Sequence, residues 1–416
     1  MTLKAYKYQL KPNKAQAEKL SQAFGHNRFV WNWALALKQR YYRMFGKSVS
    51  KRRVQDQLVK KKKQSKFDWL NQVNSQSYLA TLDSLDKAYK AFFKGHAKPP
   101  RFKSKKGNWH GYANPQHTSV DFEQGVVKLP KVGLVKAKLH REFEGKIKTS
   151  TVKLNPSGKY TVSILVDDGK NLPDVTTIEE NLTVGVDLGI KDFAICSDGT
   201  VFENQRHLNK WLEKLNKQQR ILSRKKKGSI SRSKQRIKVA RLHETVSNVR
   251  NDYLHQVSNQ LVSKSQATSF VFEDLNVKGL IKNKNLSRHI ADVAWGRFLA
   301  MMRYKCSWSA KNMIQIGKFE PSSKTCSTCH SIKSDLKLSD RMYECDHCGT
   351  VIDRDLNAAI NIKQFGLKPY LEVVGTTTTV KCSPKSSPDQ TGDLAKGSEV
   401  FRNESVEAPT RMALAI

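Results

Sequence analysis

Two C-x-x-C pairs, Cys326/Cys329 and Cys345/Cys348, stand 15 residues apart, and no other feature of the chain restricts its local folding as tightly. Four thiolates at that spacing close a tetrahedral Zn2+ site of the ribbon type. The segment between the pairs, SIKSDLKLSDRMYE, is short and polar, so a bound metal is what would hold it folded. His330 and His347 adjoin ligands, but a site closed by four cysteines needs neither. Cys196, Cys306 and Cys382 lack partners at ligand spacing and read as core or tail residues. Seven cysteines with four in paired motifs is the usage of a metal protein in a reducing compartment, not a disulfide framework.

The chain around this segment is strongly basic. Its 416 residues carry 74 Lys and Arg against 37 Asp and Glu, a net charge of +37. Such a chain repels itself unless a polyanion covers it. Nucleic acid is the first candidate and an anionic membrane the second. No stretch approaches the 18 or so consecutive apolar residues that span a bilayer, so no membrane is expected. The start, MTLKAYKYQLKPN, has no apolar signal region. The expected location is the cytosol. The length suffices for two or three domains with cores of their own.

Along the chain, LKAYKYQL alternates apolar and polar residues until Pro12 and Asn13 break it. Ala17, Leu20, Phe24, Phe29, Val30, Trp33, Ala34 and Leu37 then recur at helical spacing, which predicts a helix with Trp31 and Trp33 packed inside. A second helix is expected from Val73 to Phe93, with an apolar stripe through Leu82, Leu85 and Tyr89. Two basic runs bracket it: Lys60, Lys61, Lys62 and Lys63 before, and Arg101, Lys103, Lys105 and Lys106 after. In so basic a chain they are candidate phosphate contacts. Residues 117–168 read as short strands with tight turns, a barrel-like module, followed by a polar linker at 169–181. Helix is expected over 204–265, broken near Gly228 and Ser229 beside a third basic run, Lys225, Lys226 and Lys227. A strand over 268–273, a helix over 289–310 and a last helix from 355 complete the pattern. Residues 367–416 are polar, aperiodic and without net charge, so a disordered tail dispensable for chemistry is expected there.

Three acids stand at the ends of apolar elements. Asp187 ends TVGVD, Glu273 ends FVFE, and Asp355 opens DLNAAINI. Strand alternation sets Asp187 opposite Val184, Val186 and Leu188. Carboxylates so placed suit Mg2+, which takes hard oxygen ligands and keeps waters. They are what phosphodiester hydrolysis of the RNase H type requires. Asp274 and Asp353 compete for the roles. The first would point away from Glu273 along a strand, and the second would belong to the loop or helix cap.

These residues together resemble the TnpB (OrfB) family encoded by bacterial insertion sequences. The likeness covers most of residues 1–366. It rests on YKYQLKPN, PPRFKSKKG, VGVDLGIKDFA, the stretch SRKKKGS…RLHE…NVRNDYLH, FVFEDLNVKGL, PSSKTCSTC, YECDHCG and DRDLNAAINI, in the family's order. The resemblance implies an α+β multidomain protein. An N-terminal lobe over 1–180 would have a helical part, about 14–110, within a β-barrel-like wedge. A RuvC-like RNase H fold nuclease domain would follow over 181–366, with a zinc ribbon inserted at 321–352 and a disordered C-terminal tail at 367–416. It implies an RNA-guided, Mg2+-dependent DNA endonuclease, whose partners are a noncoding guide RNA and a double-stranded target DNA with a short adjacent motif. The family's catalytic acids fall on Asp187, Glu273 and Asp355, the last chosen over Asp353 by the shared D-x-N-A-A. The zinc ligands fall on Cys326, Cys329, Cys345 and Cys348. His330 departs from the pattern, since the family commonly has glycine there. A transposase proper and a nuclease-inactive guided DNA-binding regulator are the alternatives. The first would usually order its acids Asp, Asp, Glu, and the second would have lost acids that this chain keeps.

Overall fold

The computed structural model describes residues 2–371 apart from positions 108, 284, 319 and 338. Two compact units meet in the chain between Asn171 and Leu172.

In the first unit the alternating N-terminal segment is strand β1 (Leu3–Lys11), with Tyr8 and Leu10 facing the core. Asn13 then starts helix α1 (Lys14–Phe45) through a capping box, its carboxamide oxygen accepting from Gln16 N at 2.8 Å. Gly46 ends α1 at φ 64°. Helices α2 (Lys51–Lys62) and α3 (Ser75–Phe93) follow, joined by a 3-10 turn at Ser65–Gln72. Trp31 is buried and its indole N–H donates to Arg101 O at 3.0 Å. Trp33 is half-buried and packs against the same core from its edge, with the Lys61 ammonium 5.8 Å from its ring centre, so both tryptophans pack inward and only the first is fully covered.

Six more strands complete this unit: β2 (Gly111–Asn114), β3 (Ser119–Asp121), β4 (Val126–Leu129), β5 (Gly133–Lys138), β6 (Lys146–Leu154) and β7 (Tyr160–Asp167). They form one antiparallel sheet in the order β2-β6-β7-β1-β5-β4-β3. The N-terminal strand therefore lies at its middle, and the helices are an excursion from the sheet. Among the described residues the edge strands β2 and β3 share no ladder, so strand pairing does not close a barrel. A side-chain bridge spans the gap instead: the hydroxyls of Thr118 and Ser150 lie 2.7 Å apart, joining the approach to β3 with β6.

The second unit is built on a five-stranded sheet: β8 (Thr183–Asp187), β9 (Asp192–Cys196), β10 (Val201–Glu203), β11 (Ser269–Glu273) and β12 (Asn312–Ile316). The order is β10-β9-β8-β11-β12, antiparallel across the first three strands and parallel from β8 to β12. Between β10 and β11 runs a helical hairpin, α4 (His207–Arg224) and α5 (Ile230–Asn259). It breaks at Gly228 (φ 90°) and restarts at the Ser229 cap. Past β11 come a single turn, α6 (Val277–Leu280), then α7 (Ser287–Val293) and α8 (Trp295–Trp308). The one helix expected over 289–310 is thus two, because Ala294 between them takes a left-handed φ of 57°. The hairpin β13 (Met342–Glu344) and β14 (Val351–Asp353) leads into α9 (Arg354–Leu371).

The two faces of this sheet differ. Phe270, Phe272 and Val186 pack with Leu254 and Val257 of α5 and Phe298 and Met302 of α8. Val271 faces the other way and meets Ile362 of α9. Helix α9 runs through Leu371 with Leu367 buried, so it takes in residues 367–371, which the sequence assigned to a disordered tail. The rest of that tail lies outside the described residues. Among the described residues no helix is long and apolar enough to cross a membrane.

Candidate functional site

Asp187 and Glu273 are the last residues of β8 and β11, neighbouring parallel strands with Val186 opposite Phe272. Strands in register point aligned side chains to the same side, about 4.8 Å apart along the ladder. Val186 and Phe272 belong to the core beneath α5 and α8, so the two acids that follow them point to the α9 side. Two glycines let α9 come close. A Cβ on Gly185 would collide with Ala359 O and stand 2.6 Å from Lys363 N, and one on Gly366 would collide with Val271. Small side chains at Ala358 and Ala359 complete the contact. The first turn of α9 thereby carries Asp355 to the ends of the strands that bear Asp187 and Glu273.

The electrostatics agree with this placement. Asp187 is pushed up to about 7, first by burial, then by the negative charges of Glu273 and Asp355. The Arg354 guanidinium and the Leu188 N–H oppose the shift. Asp355 is held by Arg354, whose Nη2 is 2.9 Å from Oδ1, while Arg341 Nη1 stands 3.9 Å from Oδ2. Glu273 accepts a hydrogen bond from the Ser322 hydroxyl. The competing acids have other partners. Asp274 is exposed and pairs with Lys318 at 3.6 Å. Asp353 caps α9, accepting from Asp355 N at 2.9 Å and Leu356 N at 3.0 Å.

The four cysteines form the one cluster of His, Cys, Asp or Glu among the described residues whose ligand atoms all lie within 4.8 Å of one another. Cys326 and Cys348 sulfurs are 3.6 Å apart, and Cys329 and Cys345 sulfurs 3.5 Å. Zn–S bonds of about 2.3 Å in a tetrahedron place sulfurs roughly 3.8 Å apart, so the donor set fits zinc. The two knuckles share one backbone form. Cys326 N donates to Ser331 O and His330 N to Cys326 O; Cys345 N donates to Thr350 O and Gly349 N to Cys345 O. Both turns need a left-handed residue, supplied by Gly349 at φ 72° and by His330 at φ 62°. That explains why glycine suits the position His330 occupies. The Cys345 thiol is pulled down to about 5, chiefly by the Ser331 hydroxyl and then by the Cys348 N–H, which favours the ligating thiolate.

The basic residues divide into two groups. Lys60, Lys63, Arg101, Lys105, Lys106, Lys226 and Lys227 are exposed. The others are engaged within the protein. Lys61 lies over Phe67 at 3.7 Å, Lys62 donates to Ser75 Oγ at 2.7 Å, and Lys225 donates to Ser231 Oγ at 2.6 Å. Lys103 sits between the rings of Trp31 and Trp109, at 3.5 and 4.5 Å.

Sequence reading missed the residues that tie these parts together. Asn357 and Asn361, one turn apart on α9 and fully buried, donate to Thr325 O at 2.7 and 2.6 Å. Two asparagines four apart inside an apolar helix were the available signal. Arg354 and Ser322 gave none, since an arginine beside an acid and a serine in a loop are common.

The OrfB_IS605 family model, described as a probable transposase, matches residues 163–284. A Cas12f1-like TNB domain model matches 295–362, and a helix-turn-helix domain model of the same OrfB family matches 1–47. Residues 1–47 here are strand β1 and the single helix α1. A Streptomyces pristinaespiralis protein named as an RNA-guided DNA endonuclease is 36% identical over 367 residues, covering 88% of this chain and 89% of the relative. Its Escherichia coli K12 counterpart InsQ, named likewise, is 32% identical over 379 residues, covering 88% and 92%. The fold is shared with the protein in a Cas12f1–sgRNA–target DNA complex, at TM-score 0.53 and 14% identity over 84% of this chain and 82% of that one.

Proposed function

The chain belongs to the TnpB (OrfB) family of RNA-guided DNA endonucleases, and from that premise we propose that it hydrolyses target DNA at Asp187, Glu273 and Asp355 in a Mg2+-dependent reaction directed by a noncoding guide RNA. The observation that carries this reading is the gathering of those carboxylates at the ends of β8 and β11 and the start of α9, where burial first, and then the negative charges of Glu273 and Asp355, raise Asp187 to about 7. The strand order β10-β9-β8-β11-β12 supports a RuvC-like RNase H fold for the second unit. The acids fit a hard cation, because carboxylate oxygens suit Mg2+, which needs few protein ligands.

Asp187, Glu273 and Asp355 would hold the ion, which when bound supplies an acidified water and stabilises charge on the leaving oxygen. Arg354 grips Asp355 and keeps its carboxylate from rotating away. Asp187 is half-buried at its strand end, which limits the approach of bulk water from one side of the cluster. Cys326, Cys329, Cys345 and Cys348 would hold a structural Zn2+. The first unit and its exposed cations would grip guide and target by their backbones while base pairing supplies the sequence. Such a protein would work in the bacterial cytoplasm, at the nucleoid.

A strand-joining transposase draws support from the description of the OrfB model. One experiment separates the readings. The protein is purified from cells carrying its element, the RNA bound to it is sequenced, and a plasmid matching the guide segment is offered with Mg2+. The reading predicts a discrete RNA species and cuts only in the matched plasmid. Rejoined strands without any RNA would favour the transposase.

A further inference from the structure

We propose that Ser322 is a positioning residue for Glu273, through which the cysteine segment sets how well the acid cluster takes a divalent cation. The proposal rests on the reading of Asp187, Glu273 and Asp355 as the metal-holding acids. Glu273 ends its strand, so the sheet fixes its backbone but leaves three side-chain torsions open. The Ser322 hydroxyl closes that freedom by donating to Oε1. One such bond uses a single lone pair and leaves the rest of the carboxylate available to a cation.

Ser322 can orient another residue because it is itself held. It is 3% exposed. Its N–H donates to Glu320 O and its carbonyl accepts from Asn361 Nδ2, each at 2.8 Å. The loop continues in the same manner. Thr325 N and Oγ1 both donate to Pro321 O, at 3.0 and 2.8 Å. Asn357 receives Ser327 N at 2.9 Å and donates to Thr325 O at 2.7 Å. Cys326 lies within this stretch. One body therefore carries a zinc ligand, presents Asp355 at the head of α9 and aims Glu273 through Ser322. A purely anchoring role for the Ser322 bond is redundant, because Asn357 and Asn361 already lash the loop to α9.

The test uses the full-length protein bound to its guide RNA. Zinc content, melting temperature, Mn2+ binding by electron paramagnetic resonance without DNA, and the Mg2+ midpoint of cleavage are measured for wild type, Ser322→Ala and Ser322→Thr. Residues that orient metal ligands typically change metal affinity by about 10-fold or more. Ser322→Ala should therefore keep its zinc, bind Mn2+ roughly 10-fold more weakly and need correspondingly more Mg2+. Ser322→Thr keeps the hydroxyl and should stay near wild type. Wild-type Mn2+ affinity in Ser322→Ala, loss of zinc as its sole change, or equal Mn2+ affinities in the two variants would each overturn the proposal. Asp187→Asn serves as the separate control: if it binds Mn2+ like wild type, the reading of the acid cluster fails whatever Ser322 does.

Discussion

At Asp187, burial and two neighbouring carboxylates act in one direction. The folded pKa rises from 3.8 to about 7. Between those values the metal-free folded protein holds a proton that the unfolded chain releases. Stability must therefore fall as pH rises through that window. The metal-free melting temperature of wild type should drop more between pH 5 and pH 8 than that of Asp187→Asn, and equal drops would contradict the assignment. Cation binding should weaken below about pH 7 for the same reason, since proton and cation compete. Two residues before Asp355, Asp353 presents a contrasting case. Its carboxylate is committed to backbone N–H groups of α9. Asp353→Ala should cost about 1 kcal/mol of stability, as lost caps do, and leave DNA cleavage within a few-fold. Thermal denaturation and a cleavage assay check both halves. The sequence made Asp353 a cap candidate from its position alone. It held no trace of the Ser322–Glu273 bond, which joins residues 49 positions apart and depends on tertiary packing.

At the scale of elements, the close approach of α9 to β8 decides whether three acids can share a site. Gly185 and Gly366 make the approach possible, since a methyl at either would meet main chain or a buried valine. Overpacking usually costs 1–3 kcal/mol, and backbone collision lies at the top of that range. Gly185→Ala should destabilise the second unit by about 3 kcal/mol in chemical denaturation and cut cleavage disproportionately, because it displaces Asp355 from Asp187. A variant with wild-type stability would refute the contact. Most of these elements were legible. Periodicity located α1, α3 and α9, Gly228 and Ser229 marked the turn of the α4–α5 hairpin, and apolar runs marked β8 and β11. The division of α7 from α8 was not, because it turns on a left-handed alanine that no pattern announces. The place of β1 in mid-sheet was not, because its partners β5 and β7 lie more than a hundred residues away and alternation does not name a partner.

For the whole molecule, the net charge of +37 asks for a polyanionic partner, and the structure sorts which cations are free to meet it. Neutralising exposed Arg101, Lys105 and Lys106 should weaken guide-RNA or target binding and flatten its log–log salt dependence by roughly one unit per lost phosphate contact. The same change at Lys103 should act mainly through stability, because its ammonium lies between two tryptophans. An unchanged salt slope in the exposed-site variant would move the binding surface elsewhere, most plainly to Lys226 and Lys227. The central claim is that Asp187, Glu273 and Asp355 form one hydrolytic site. It is tested most directly by single-turnover cleavage of matched DNA by the guide-loaded protein in Mg2+, with target binding measured in parallel. The variants are Asp187→Asn, Glu273→Gln, Asp355→Asn and the triple substitution. Residues that act as a unit lose activity non-additively, so each single variant should fall by roughly a thousandfold or more and the triple by little beyond that, while target binding stays near wild type. Wild-type cleavage in any one of the three single variants would contradict the claim.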